Sequence, residues 1–271
     1  MSSIKLGSSS ISNAKLGSTQ VSQIYKGSNL IWSNATTTTT TTSGPSLVSG
    51  YKVYFDFGNS SSYPGSGTTI TNLGSGGSGM NGTISGGTYY PLQHGGVMDL
   101  FHSSRDKITF STDLTAAFTT QAFVRHIGSG TAWGGNSSYY GGWPNIRTDN
   151  GFILTNDVGN GTLVLGIIWN GSSANVPSDN FIYPTDISAF HSYAYTSNGT
   201  NEHKMYLDTN SPATSTASYS RSNSATVTSY INYDAPNNGS EDLTVMAYLQ
   251  YDRVLTSSEI AQNYAFFSSR F

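Results

Sequence analysis

Tyr51-Lys52-Val53-Tyr54-Phe55-Asp56-Phe57 alternates bulky apolar residues with Lys52, Tyr54 and Asp56, the period-two pattern of a strand with two different faces. The stretch that follows, from Asn59 to Gly87, is loop-rich, with Pro64-Gly65, Gly74 to Gly79 and Asn81-Gly82 as turn signals. Further strands are predicted at Lys107 to Phe110, Phe118 to His126, Gly151 to Leu154 and Thr162 to Trp169. Others fall at His191 to Thr196, Lys204 to Leu207, Ala225 to Tyr230 and Leu243 to Tyr251. Many short strands divided by Gly, Asn and Ser turns indicate an all-β sandwich or jelly roll. One helix is predicted. Thr256-Ser257-Ser258-Glu259 is a capping box, and Ile260, Tyr264 and Phe267 then recur on one helical face.

Upstream, the sequence repeats every ten residues. Ile4-Lys5-Leu6-Gly7-Ser8, Ala14-Lys15-Leu16-Gly17-Ser18 and Ile24-Tyr25-Lys26-Gly27-Ser28 align, each followed by a β-branched residue: Ile11, Val21, Ile31. The period reads as one turn plus one short strand, repeated three times. Such a module is shorter than the roughly 40 residues a chain needs to bury a core alone. It must lean on a partner or on copies of itself, which makes residues 1–32 an attachment device. Its contact residues are expected to be Ile4, Leu6, Ile11, Leu16, Val21, Ile24, Tyr25, Ile31 and Trp32, and a trimer is the favoured assembly. Residues 33–50, with seven threonines from Thr36 to Thr42, read as a spacer or as an extended strand docked on a neighbour. The main domain is expected over residues 51–271.

Composition narrows the function. Charged residues are 10% of the 271, well under the ~25% of ordinary soluble domains. Aromatic residues reach 13%, with 18 Tyr, which disfavours intrinsic disorder. A net charge of −3 and twelve scattered Lys and Arg argue against nucleic-acid binding. No apolar run approaches the ~18 residues of a membrane span. Met1-Ser2-Ser3-Ile4-Lys5 shows no apolar signal core, and the chain has no cysteine. This suits a protein made in a host cytoplasm without a signal peptide and released by lysis.

Several segments, taken in order, resemble the concanavalin A-like, laminin G-like jelly roll. They are Val53-Tyr54-Phe55-Asp56, Asn59 to Thr69, Met80-Asn81-Gly82-Thr83-Ile84 and Ser104-Arg105-Asp106-Lys107-Ile108. Lys204-Met205-Tyr206-Leu207-Asp208 resembles the family's Asp-Gly turn, with Thr209 in place of the glycine, and Ala247 to Ile260 resembles its closing strand and helix. The N-terminal repeat, through Ile31-Trp32, resembles leaders of phage fibre and decoration proteins. Asn263-Tyr264 to Ser268-Ser269-Arg270-Phe271 is similar to the ending of phage structural proteins that carry this domain. The resemblance implies a concanavalin A-like sandwich with one short C-terminal helix behind a small β-repeat module.

The chemistry readable in the sequence is that of binding. The resemblance leads to glycoside hydrolases as the enzymatic relatives, which use two carboxylates flanking the sugar bond. Their Glu-x-Asp-x-x-Glu strand has no counterpart among Glu202, Glu241 and Glu259. The five histidines show no metal-ligand spacing, and no serine lies in a nucleophile elbow. No catalytic residues are expected. Calcium is the cofactor to consider, at Asp56, Asp106 and Asp208, with Asp242 a further oxygen donor. The candidate carbohydrate-binding loop is Trp133-Gly134-Gly135-Asn136-Ser137-Ser138-Tyr139-Tyr140-Gly141-Gly142-Trp143. Its stacking and hydrogen-bonding groups would be Trp133, Asn136, Tyr139, Tyr140 and Trp143, unless those rings cover a sheet or a subunit contact. The expectation is a non-enzymatic bacteriophage virion protein on the particle surface: a capsid decoration or short head fibre. It would attach to other virion proteins through its N-terminus and meet surface glycans through the jelly roll. A tail-fibre adhesin, a lectin for host glycans, is the alternative.

Overall fold

The computed structural model describes residues 45–127, 186–216, 226–232 and 242–271, apart from 102, 114, 116 and 187. It also describes the backbone pairing of short strands within residues 5–33 and 152–175. The chain divides into two units, Met1–Gly44 and Pro45–Phe271.

In the first unit each ten-residue repeat is a hairpin, not the single strand expected from its period. β1 (Lys5–Leu6) pairs with β2 (Ser9–Ser10), β3 (Ala14–Leu16) with β4 (Thr19–Val21), and β5 (Gln23–Lys26) with β6 (Asn29–Ser33), all antiparallel. The innermost partners are Leu6 and Ser9, Leu16 and Thr19, Lys26 and Asn29. Gly-Ser lies between them each time, and a glycine opening a two-residue link is the sequence a type II′ hairpin favours. Leu6, Leu16, Val21, Ile24, Tyr25, Ile31 and Trp32 lie in these strands, while Ile4 and Ile11 fall outside the described residues.

In the second unit the strands are β7 (Tyr51–Asp56), β8 (Thr69–Ile70), β9 (Gly82–Ser85), β10 (Thr88–Tyr90), β11 (Val97–Leu100), β12 (Lys107–Asp113) and β13 (Phe118–His126). They continue with β14 (Phe152–Ile153), β15 (Ile167–Asn170), β16 (Ser173–Asn175), β17 (His191–Ser197), β18 (His203–Leu207) and β19 (Ala213–Ser215). The last are β20 (Thr226–Ile231) and β21 (Leu243–Tyr251), followed by α1 (Ser257–Ser268). The large sheet runs β10-β11-β21-β13-β17-β18-β19, with β7 pairing the second half of β21. A smaller sheet runs β20-β12-β9-β8, and β14-β15-β16 form a three-stranded meander. Every pairing is antiparallel, and the fold is the all-β jelly-roll sandwich with one short helix that the sequence implies.

The large sheet is covered on both faces. Val53 and Phe55 of β7, Val124 of β13, Tyr193 and Tyr195 of β17 and Tyr248 of β21 face Ile84, Ile108, Phe110 and Ile231 of the smaller sheet. On its other face Tyr54, Phe123, Ala194, Leu249 and Tyr251 pack against Ile260 and Phe267 of α1. All nine residues of β21 are therefore buried. A bulge makes this possible. Phe123 pairs with Ala247 but Val124 pairs with Val245, leaving Met246 as an extra residue. Val245 and Tyr248 thereby face the inner core, while Met246 and Ala247 both face the helix.

The capping box forms as expected: Thr256 Oγ1 accepts from the Glu259 N–H, and the Glu259 carboxylate accepts from the Thr256 N–H. The helix's buried face is Ile260, Asn263 and Phe267, with Tyr264 half-buried beside it. Asn263 staples the segment before β7 to the sheet. Its Oδ1 accepts from the Val48 N–H at 2.9 Å, and its Nδ2 donates to Gln121 Oε1 at 2.9 Å and Tyr251 Oη at 3.1 Å. Residues 45–50, expected in the spacer, thus belong to the sandwich unit, with Val48 buried.

Candidate functional site

The three aspartates expected as oxygen donors occupy three different settings. Asp56 ends β7, and its buried carboxylate accepts from Arg270 Nη1 at 2.8 Å, Tyr54 Oη at 3.0 Å and the Gly58 N–H at 2.8 Å. Asp106 precedes β12; it is 2% exposed, and its Oδ2 accepts from the Phe101 N–H at 3.0 Å. Gly86 stands against it so closely that a Cβ there would overlap Oδ1. Asp208 follows β18, where its Oδ1 accepts from the Ser192 N–H at 2.8 Å and its Oδ2 from His191 Nδ1 at 2.8 Å. Asp208 itself adopts φ +54°, and the Asn210 N–H returns to the Leu207 carbonyl at 3.0 Å. The tight turn therefore forms without the family glycine, because Asp tolerates the left-handed region better than most residues. Among the described residues, no three His, Asp or Glu side chains gather as a metal site.

The glutamates serve local structure. Glu202 pairs with Lys204 at 2.8 Å across an exposed turn. Glu259 caps α1 and binds Arg253 at 2.7 Å; the Arg253 hydrogen bonds, then the Thr256 N–H, pull its carboxyl down to about 2. Glu241 lies outside the described residues. Burial lowers the His126 imidazole to about 4, despite the opposing charge of Asp242.

One surface near the C-terminal end of α1 brings unlike groups together. Asp99 of β11 lies opposite Thr244 of β21, which lies opposite Arg125 of β13. Thr244 Oγ1 donates to Asp99 Oδ1 at 2.6 Å and accepts from Arg125 Nε at 3.3 Å. Burial raises the Asp99 pKa, with Thr244 and the Arg125 charge opposing the shift. The Arg125 guanidinium lies 5.1 Å over the Phe190 ring, and Phe271 stacks on Phe190 with centroids 5.8 Å apart. Arg125 Nη1 is 3.4 Å from His94 Nε2, and His94 Nδ1 is 2.8 Å from the Arg270 carbonyl. A carbonyl only accepts, so His94 carries its proton on Nδ1 and receives Arg125 at Nε2. Phe271, at the edge of this cluster, is 36% exposed. Asp99, Thr244 and Phe190 are buried, so the cluster ties the C-terminal residues to the large sheet. This cluster is not legible in the sequence, since its members come from β11, β13, β21, the end of α1 and the residues before β17.

Trp133, Asn136, Tyr139, Tyr140 and Trp143 lie outside the described residues.

No family model and no curated protein sequence matches the chain. Solved structures do. The chain superposes on the receptor-binding domain of botulinum neurotoxin type G with a TM-score of 0.51 at 16% identity, over 80% of this chain and 51% of that one. It superposes on domain 4 of AbnA, a GH43 extracellular arabinanase of Geobacillus stearothermophilus solved with arabinotriose, with a TM-score of 0.52 at 14% identity. That match covers 79% of this chain and 98% of the domain. A sialidase from Trypanosoma rangeli matches with a TM-score of 0.52 at 11% identity, over 79% of this chain and 32% of the enzyme. The chain thus spans about half of the toxin domain and a third of the sialidase, and nearly all of the arabinanase domain. At these identities the likeness is one of fold.

Proposed function

We propose that the sandwich is a non-catalytic glycan-binding module, displayed on a bacteriophage particle as a capsid decoration or short head fibre. The observation that carries the glycan reading is the near-complete superposition on a separate domain solved with arabinotriose. The described glutamates and the buried Asp56 and Asp106 support a non-catalytic role, since all are engaged by protein donors. Retaining or inverting glycoside hydrolysis needs two carboxyl groups available to the sugar. The loop from Trp133 to Trp143 supplies stacking rings and amide groups for the sugar. The three N-terminal hairpins are the anchor. They are too short to bury a core alone, so they gain stability by packing on a particle protein or on one another. Low single-site affinity is sufficient in this setting, because many copies on one particle act together.

Immunogold electron microscopy of lysate particles, with antibody raised against the full chain, tests the display. Gold spread over heads is the expected result, and gold confined to tails turns the protein into an adhesin. Particles carrying no gold would overturn the virion assignment and leave only the glycan reading.

A further inference from the structure

The interior of the sandwich contains a polar seam where an apolar core is the norm. At the end of the large sheet where β21 closes, Gln250 lies directly opposite Thr120 of β13, and Thr120 lies opposite Tyr195 of β17. Residues directly opposite on one face have Cβ atoms roughly 5 Å apart. Tyr248, one inward position before Gln250, lies opposite the small Ala122. From the facing sheet, Thr112 of β12 reaches Gln250, accepting from its Nε2 at 2.7 Å. Phe110 of β12 lies 5.4 Å from the Tyr248 ring and directly opposite Ser229 of β20.

Four oxygens in this layer have no hydrogen-bond partner among the described residues: Thr120 Oγ1, Ser229 Oγ, Tyr248 Oη and Gln250 Oε1. All four residues are at most 1% exposed. Burial pushes the Tyr248 phenol well above its ordinary pKa, so it remains an O–H donor. The set is chemically mixed: three hydroxyls that donate and accept, and one amide oxygen that only accepts. Unpaired, each would carry its full desolvation cost, and four together are more than a marginally stable domain sustains without return. They come from three strands of two sheets, β13 and β21 of the large one and β20 of the smaller, and meet through register and the Gln250–Thr112 bond.

We propose that this seam is an internal binding site for ordered water, which bridges the two sheets between Thr120, Tyr248, Gln250 and Ser229. Buried waters commonly make about three hydrogen bonds each, and the seam supplies that number of partners. Water is the guest that fits a set able to both donate and accept and enclosed by Ala122, Phe110 and Tyr195. The bridge adds to the Gln250–Thr112 hydrogen bond and the Lys52–Asp113 ion pair, which join β12 to β21 and β7 at this end of the sandwich.

The test is oxygen-17 magnetic relaxation dispersion of water in solutions of the full chain, which reads waters held inside the protein. The wild-type chain is compared with Tyr248→Phe and with the Thr120→Val, Tyr248→Phe double variant. A lower dispersion amplitude in the variants supports the site, and Tyr248→Phe is then expected to melt no higher than wild type. Equal amplitudes overturn it, and Tyr248→Phe should then melt higher, by ~2–4 °C for each 1 kcal/mol of relieved desolvation in a domain of this size. If the double variant fails to fold, the near-isosteric Tyr248→Phe carries the comparison alone.

Discussion

His191 and Asp208 meet with the ring Nδ1 2.8 Å from Oδ2, while the ring Nε2 lies 2.8 Å from the Asp186 carbonyl. Both partners only accept, so both ring nitrogens donate and the imidazole is held in its charged form. Burial alone lowers the His191 pKa. The hydrogen bonds to Asp208 and Asp186 and the charges of both carboxylates outweigh it, and the pKa is raised above 6.5. The contact ties the start of β17 to the turn after β18.

The pH dependence follows in sign. Because the folded-state pKa is raised, this contact's stability is fully present below pH 6.5 and is lost as pH climbs through the higher folded value. His191→Gln is expected to cost about 1.5–3 kcal/mol at pH 5.5, the range for a hydrogen bond to a charged group, and less at pH 9. Urea unfolding at the two pH values checks this. A cost that is the same at both would contradict a protonated His191.

Arg270 neutralises the buried Asp56 and also donates to the His94 carbonyl at 3.0 Å and the Gly96 carbonyl at 3.0 Å. Arg270→Met strands a buried carboxylate and is expected to cost about 3–5 kcal/mol. The double variant with Asp56→Asn should recover part of that loss, giving a non-additive cycle in denaturant titrations.

Asn263 is the polar hub under α1. Asn263→Leu keeps the volume but leaves the Val48 N–H and Gln121 Oε1 without their partner. The expected cost is at least ~2 kcal/mol, since each buried group then bears its own desolvation. Faster amide exchange at Val48 should accompany it, because that N–H bonds to Asn263.

The capping box gives an acid-side prediction. Thr256→Ala is expected to lose about 1 kcal/mol. Glu259 has a lowered pKa of about 2, so its contribution is present above 4.5 and fades as pH falls toward 2. Thermal melts of Glu259→Gln against wild type should therefore differ at pH 7 and converge near pH 2.

The long strands were legible because alternation and bounding turns agree there. Phe118 to His126 and Leu243 to Tyr251 match the structure to the residue. β8, β9, β10, β11, β16 and β19 escaped notice, β8 and β9 within the stretch read as loop, since a strand of two to four residues shows too little of the period to stand out. The N-terminal repeat was visible, but its topology was not: at two to five residues per arm, a hairpin and a single strand share the same ten-residue period. The helix face shifted from Tyr264 to Asn263 because hydrogen bonding, not hydropathy, placed that residue inside. The Arg125 patch and the water seam depend on register between strands far apart in the chain and on the Met246 bulge, neither of which local sequence encodes.

The proposed glycan recognition rests on the residues from Trp133 to Trp143. The most direct test is a glycan array, including arabino-oligosaccharides, probed with the full chain beside Trp133→Ala and Trp143→Ala. The wild-type chain is expected to be retained on a defined set of glycans, and both variants, folded by circular dichroism, are expected to lose that retention. A wild-type chain that binds no glycan, or variants that bind as well as wild type, would contradict it.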